Sequence, residues 1–279
     1  MEITYLSILI FVITTIVYYI FPFIGKVPLT IDILNNKDNI TEFYMSNWLR
    51  LAIYFGFIIL SQYVLNTAYI LNTCGGDTIS NFVNGFLITF MPWVFIFGIM
   101  LVILTIFPGF KSAFSDIIGY FIVAKSANDV LSELLVDKQV DVALQNTTDG
   151  STSELRKSAE SIMKLYSNKA ILINQIVPEN FDETWQTLKP LMKPGVDTDP
   201  NELLKSRLLD IVVMRDNIGE ACWYLYTAIV IISYTSYKLS MQDCQQNIWD
   251  IERESKKRQS EYKKEIKKEN DAKNGTAKM

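Results

Sequence analysis

Three stretches of the chain, residues 3–24, 51–71 and 82–110, contain no Asp, Glu, Lys or Arg. A fourth, 221–237, is also uncharged and is bracketed by Glu220 and Lys238. A soluble domain spreads its apolar residues at helix or strand spacing rather than gathering them in blocks. A bilayer core about 30 Å thick needs roughly 20 apolar residues in a helix, and the first three blocks reach that length. The fourth, ACWYLYTAIVIISYTSY, has 17 residues. It reaches span length if Glu220 and Lys238 snorkel to the interfaces. Its Trp223, Tyr224, Tyr226, Tyr234 and Tyr237 lie towards its two ends, as interfacial aromatics do. The expected fold is an all-α integral membrane protein, because a single segment in lipid satisfies its own backbone only as a helix. Four transmembrane helices are expected, at about 3–24, 51–71, 82–107 and 218–240. A small helical extramembrane domain fills 111–217, and a charged helical tail follows in 241–279.

The first block does not resemble a cleavable signal peptide. Its n-region is Met1-Glu2, without positive charge, and no A-x-A site follows; it is expected to stay as an anchor. Residues 25–50 read as a polar loop. The Gly75-Gly76 turn joins the second and third blocks into a helical hairpin. Pro92 implies a kink or displaced turns, which membrane helices tolerate. Pro108-Gly109 ends the third block: the proline biases Phe107 away from αR, and Gly109 is free to take positive φ. The next run, KSAFSDIIGYFIVA at 111–124, is too short to span. It is expected to lie in the interface or to pack on the neighbouring bundle.

Residues 125–217 carry amphipathic patterns at 126–145 and 153–176, then a proline-punctuated connector with a short helix between its prolines. Asp199-Pro200 reads as N-cap and first residue of a helix that continues through 201–220 into the fourth block. In the tail, residues 239–279 hold ten Lys/Arg against eight Asp/Glu. Pairs such as Glu254/Arg258 and Glu265/Lys268 suit a solvated helix. That balance makes nucleic acid an unlikely partner.

Chemistry is sparse. The chain has no histidine, which removes the usual neutral-pH proton carrier and the commonest metal ligand. No Walker A, H-E-x-x-H, G-x-S-x-G or EF-hand pattern occurs. The expectation is a protein that is not an enzyme and needs no cofactor or metal. Gln62 and Asn66 lie on one face of the second block. They read either as the polar lining of a channel or transporter, or as interhelical hydrogen bonders. Phe181 and Trp185 of the connector are candidate interaction or packing residues. With four spans, the N-terminus, the 72–81 loop and the tail share one side, so Cys74 and Cys244 form a possible disulfide; Cys222 falls within the fourth block. Counting Lys and Arg near the membrane ends gives eight on the domain side and five on the tail side, so the positive-inside rule leans towards a cytosolic domain.

Several segments carry a resemblance. PWVFIFG at 92–98, FPGFKSAFSDIIGY at 107–120, VPENFDETW at 177–185, IGEACWYLYT at 218–227 and SYTSYKLSMQDC at 233–244 are similar to a family of multi-pass membrane proteins. That family belongs to nucleocytoplasmic large DNA viruses, the phycodnaviruses and mimivirus relatives. The likeness covers roughly residues 85–250. It implies a structural component of the virion's internal membrane, or a membrane-anchored minor capsid protein. The implied partners are the lipid bilayer, other capsid or virion membrane proteins, and further copies of the chain. It implies no catalytic role.

Overall fold

The computed structural model describes residues 2–74, 78–135, 172–189, 192–193, 195–196, 202–241, 255–263 and 266. In chain order it contains α1 (Glu2–Ile20), α2 (Ile31–Leu34), α3 (Lys37–Cys74), α4 (Thr78–Pro92), a π-helical stretch (Trp93–Gly98) and α5 (Ile99–Ile106). A 3-10 turn (Pro108–Lys111) leads to α6 (Ser112–Phe114), a second π stretch (Ser115–Gly119) and α7 (Tyr120–Leu134). After two short 3-10 turns come α8 (Phe181–Leu188) and α9 (Leu203–Ser240). No strand occurs among the described residues; the single bridge joins Leu135 to Met192. The protein is all-helical, and three of its helical units, Ile3–Ile20, Asp38–Cys74 and Ile79–Ile106, are long and apolar enough to cross a membrane.

Side-chain bonds fix the register of the bundle. Thr4 Oγ1 donates to Ser236 Oγ at 2.9 Å, and Tyr19 OH donates to Glu220 Oε1 at 2.9 Å. Residues 220–236 of α9 therefore run antiparallel beside residues 4–19 of α1. Thr15 and Tyr54 bond at 2.7 Å, and Gln62 Nε2 donates to the Ser7 carbonyl at 3.0 Å, so α3 is antiparallel to α1 as well. The core between these helices is aromatic: Phe11, Tyr54, Trp93, Phe97 and Tyr224 are all buried. The outward faces are apolar and bare, with Leu9, Ile13 and Ile16 on α1 and Ile53, Phe57, Leu60 and Val64 on α3 exposed. Exposed apolar surface on this scale marks contact with lipid or protein.

Pro92 neither ends nor visibly breaks its helix. The π stretch begins at the next residue, and its wider turn brings Trp93 and Phe97 fully into the core. Pro108 does end the third unit. Phe107 takes φ −121°, ψ 73°, out of the helical region, as the following proline demands. Gly109 stays right-handed, since Gly195 is the one glycine with positive φ among the described residues; the proline alone makes this break. The first helix stops at Ile20, ahead of Phe21-Pro22, four residues short of its charge-free block.

One expectation changes. Residues 25–50 are not a loop: α3 begins at Lys37, fourteen residues ahead of the charge-free block. Those extra turns have an anchoring task. Arg50 donates to the carbonyls of Pro22 (2.7 Å) and Gly25 (3.0 Å), and the Asn47 amide pairs with the backbone of Val27. In the 111–124 segment the outward face, with Ile117, Phe121 and Ile122, is exposed and apolar. The helix from Ser112 to Leu134 packs antiparallel along the first half of α9, with Ser115 against Gly219 and Glu133 paired to Arg207 at 2.7 Å. At the crossing no side chain fits: a Cβ on Gly219 would lie 2.6 Å from Ser115 Cβ and 2.8 Å from Ser115 N. Gly219→Val is expected to force the two helices apart and to cost roughly 1–3 kcal/mol, read as a lower unfolding temperature in detergent.

The domain has its own core. Val123, Ala127, Leu131 and Leu134 of α7 meet Ile173, Ile176, Phe181, Trp185, Leu208 and Val212. α9 joins this core to the bundle. It has 38 residues, about 57 Å at 1.5 Å each, and its N-terminal half serves the domain while its C-terminal half serves the bundle. Its start is at Leu203, preceded by Glu202 with φ 45°; the expected cap at Asp199-Pro200 lies outside the described residues. So do most of the amphipathic stretch at 153–176, Val142, and the Glu254 and Glu265 pairs. In the tail, residues 255–263 are helical and exposed.

Candidate functional site

The chain leaves the bundle at three places, and each delivers a charged residue to one point. After α1 the backbone turns back so that Lys26 N donates to the Tyr18 carbonyl at 2.7 Å. Gly25 allows this, because a Cβ there would collide with the Tyr18 carbonyl. After α5 the 3-10 turn delivers Lys111. α9 supplies Asp216 and Glu220, one turn apart.

Glu220 is the centre. Its Oε2 accepts from Lys26 Nζ at 2.9 Å and faces Lys111 Nζ at 3.2 Å. Its Oε1 accepts from the hydroxyls of Tyr19 and Tyr224, both at 2.9 Å. Lys111 also donates to Asp216 Oδ2 at 2.8 Å. Lys111, Asp216 and Glu220 are buried, yet each is paired, which is the condition for keeping charge away from water. Burial pulls the Lys111 ammonium down, but the Glu220 and Asp216 carboxylates outweigh it and hold its pKa above the ordinary lysine value. The lysine after Pro-Gly is thus an internal partner of α9 rather than a surface charge. Glu220 does not snorkel as expected. Lys238, at the other end of the fourth block, is exposed and sits 5.8 Å from the Tyr234 ring.

One turn before, on the domain side, lies a second buried charge. Arg215 is fully buried. It donates to the carbonyls of Ile173 and Ile176 and to Asn174 Oδ1, with the Ile176 bond at 3.0 Å. Asp116 Oδ1 is 3.8 Å away. The fork geometry of a guanidinium allows this multiple capture.

The residues singled out from sequence lie elsewhere. Gln62 donates to the Ser7 carbonyl, and Asn66 donates to Thr89 Oγ1 at 2.9 Å. Both side chains are buried, between α3 and α1 or α4. Such bonds in membrane helices average about 0.6 kcal/mol. Gln62→Leu and Asn66→Leu are each expected to cost about that much, a shift near the resolution of a thermal melt in detergent. Phe181 and Trp185 stack with centroids 6.3 Å apart inside the domain core, so they offer no face to a partner. Cys74 is disulfide-bonded and Cys222 is a free thiol; Cys244, the expected partner of Cys74, lies outside the described residues.

Sequence reading missed the ion cluster because its members are far apart, with 194 positions between Lys26 and Glu220. The available signal was that Lys26, Lys111 and Glu220 each sit at the edge of a charge-free block on what the four-span topology makes the same side. Comparison with family models, curated proteins and solved structures finds no match.

Proposed function

We propose that the chain is a membrane-anchored structural protein of a virion's internal membrane, a minor capsid component that holds the membrane to capsid or other virion proteins. One observation carries the tethering part of this reading. α9 runs unbroken from the bundle into the domain, and the Glu220 cluster binds it to the ends of the first and third membrane helices. An anchor joined to its domain through a continuous helix and a buried ion cluster transmits force rather than swinging on a linker. The virion assignment rests on the resemblance of residues 85–250 to the giant-virus family.

The fourth span belongs to this proposal. Residues 220–236 of α9 lie level with α1, and their outward face, with Tyr226, Ile229, Val230 and Tyr234, is exposed and apolar. A segment beside a spanning helix, with lipid-compatible residues outside, spans with it. The 112–217 domain then lies on one side, and the N-terminus and tail on the other, in a membrane drawn from the host's intracellular membranes. The Cys74–Cys244 bond would staple the tail to the end of the α3–α4 hairpin on that second side.

The test is composition of purified particles. The chain is expected at fixed stoichiometry with capsid proteins and in the pellet after alkaline carbonate; release into the supernatant rejects the anchor, and absence from particles rejects the virion role. The channel or transporter alternative has little to stand on in a single chain, since both amides of α3 are engaged and the bundle centre is filled by Trp93, Phe97 and Phe11. Liposomes containing the purified chain are expected to show no selective ion flux; flux abolished by Gln62→Leu would reverse that reading.

A further inference from the structure

A cavity of about 140 Å³ opens beside the ion cluster. Lys26, Lys111, Asp216 and Glu220 line its inner side. Half-exposed Tyr44 and Trp48 of α3 line it too, as do Leu104 and Thr105 in the last turn of α5. This is the level at which the chain leaves its apolar helices, where Tyr and Trp concentrate in membrane proteins.

The lining has unused hydrogen-bonding capacity. An ammonium has three donors; Lys111 meets two carboxylates and Lys26 meets one. Tyr18 is 4% exposed, lines the cavity, and its hydroxyl makes no hydrogen bond among the described residues. Asn217 also lines it with an unpaired amide among those residues. The Tyr18 hydroxyl and the half-buried Asn217 amide are thus free to meet a ligand that enters the cavity. Donors of this kind converge on an oxyanion such as phosphate.

The charge count excludes a simple anion. Two lysines face three carboxylates, Asp216, Glu220 and Glu179. Glu179 is exposed, lies near Tyr44, and acts on Lys111 only at long range, with no ion pair within 4.0 Å among the described residues. A ligand that fits both ends carries both signs. Its cation would meet a carboxylate and the faces of Tyr44 and Trp48, which attract ammonium groups.

We propose that this cavity binds the zwitterionic phosphate–ammonium headgroup of a phospholipid from the adjoining leaflet. The phosphate lies towards Lys26, Lys111 and Tyr18, and the ammonium lies towards Glu179, Tyr44 and Trp48. The apolar wall, Leu51 and Leu104, belongs to helices whose outward faces are bare and apolar, so acyl chains have a continuous surface to follow. A bound lipid would also fix the depth at which the domain stands above the bilayer. The inference uses the membrane placement of the chain and not its virion role.

The full-length chain in detergent is titrated with phosphatidylcholine, phosphatidylethanolamine, phosphatidylglycerol and water-soluble glycerophosphocholine, and the bound species are counted by native mass spectrometry. Both zwitterionic lipids are expected to bind roughly tenfold more tightly than phosphatidylglycerol. Glu179→Gln and Trp48→Leu are each expected to weaken them about five- to tenfold without lowering the unfolding midpoint, because neither side chain belongs to a core or to the ion cluster. Lipid retained without binding of glycerophosphocholine supports the leaflet as the source. Equal affinity for the free headgroup overturns the leaflet and assigns a soluble phosphate–ammonium compound. No preference over phosphatidylglycerol, or an unchanged preference in both variants, overturns the headgroup site itself while leaving the carbonate and particle tests of the anchor untouched.

Discussion

Replacing Glu220 with Ala is expected to be the most damaging single change at the junction of bundle and domain, lowering stability by about 3–5 kcal/mol. The carboxylate has four partners, Lys26, Lys111, Tyr19 and Tyr224. Lys111 keeps Asp216, but Lys26 loses its only carboxylate among the described residues. Two hydroxyls are left without acceptors. Removing one member of a buried ionic group leaves the others desolvated and unpaired, and that residue of charge is what makes the loss large. Lys26→Met is milder, about 1–3 kcal/mol, since Glu220 retains Lys111 and both tyrosines. The double variant Lys26→Met/Glu220→Leu removes one charge of each sign and leaves the Lys111–Asp216 pair whole, so it is expected to recover most of the loss. Thermal unfolding of the three variants in the same detergent checks the order. A midpoint for Glu220→Ala within a degree or two of the parent, against an expected fall of roughly 10 °C, would show that the cluster does not clamp α9.

The same cluster shows what a sequence of this kind discloses. Membrane helices write themselves into sequence because lipid forbids unpaired charge along roughly 20 consecutive residues; the charge-free blocks at 51–71 and 221–237 fall wholly inside helices, while those at 3–24 and 82–110 overrun theirs by four residues, each past a helix end at a proline. The continuity of α9 through Glu220 was legible too, because nothing between Leu203 and Ser240 breaks a helix. What stayed hidden were long-range polar facts. Glu220, alone at the end of an apolar run, looks like a residue reaching for water; only the fold shows two lysines from other chain exits arriving at it. Residues 37–50 looked like loop because they are polar, yet their polarity binds the end of α1 through Arg50 and Asn47. Phe181 and Trp185, read from a proline-rich connector, had no periodic neighbours to announce a core. Their burial depends on α7 and α9, which are distant in sequence.

Arg215 tests the other half of the junction, with an effect expected to stay local. Its guanidinium holds the turn at 173–176 through two backbone carbonyls and Asn174, and it faces Asp116 on the helix across from α9. Arg215→Met removes these donors at a fully buried position. Each carbonyl left unsatisfied there costs about 1–3 kcal/mol, and Asp116 loses its cation. The turn leads directly into Pro178–Asn180 and α8, so α8 should detach first, taking Phe181 and Trp185 out of the core. Hydrogen exchange followed by mass spectrometry is expected to show the backbone amides of Phe181–Leu188 exchanging roughly a hundredfold faster, the equivalent of about 3 kcal/mol. Those of α1 and of the C-terminal half of α9 should be unchanged, since the Glu220 cluster does not use Arg215. Arg215→Lys is expected to restore only part of the protection: one ammonium supplies charge for Asp116 but lacks the planar fork that reaches several acceptors at once. Uniformly faster exchange across both bundle and domain would instead mean that the two cores unfold as one unit, and that the boundary at Glu220 does not separate them.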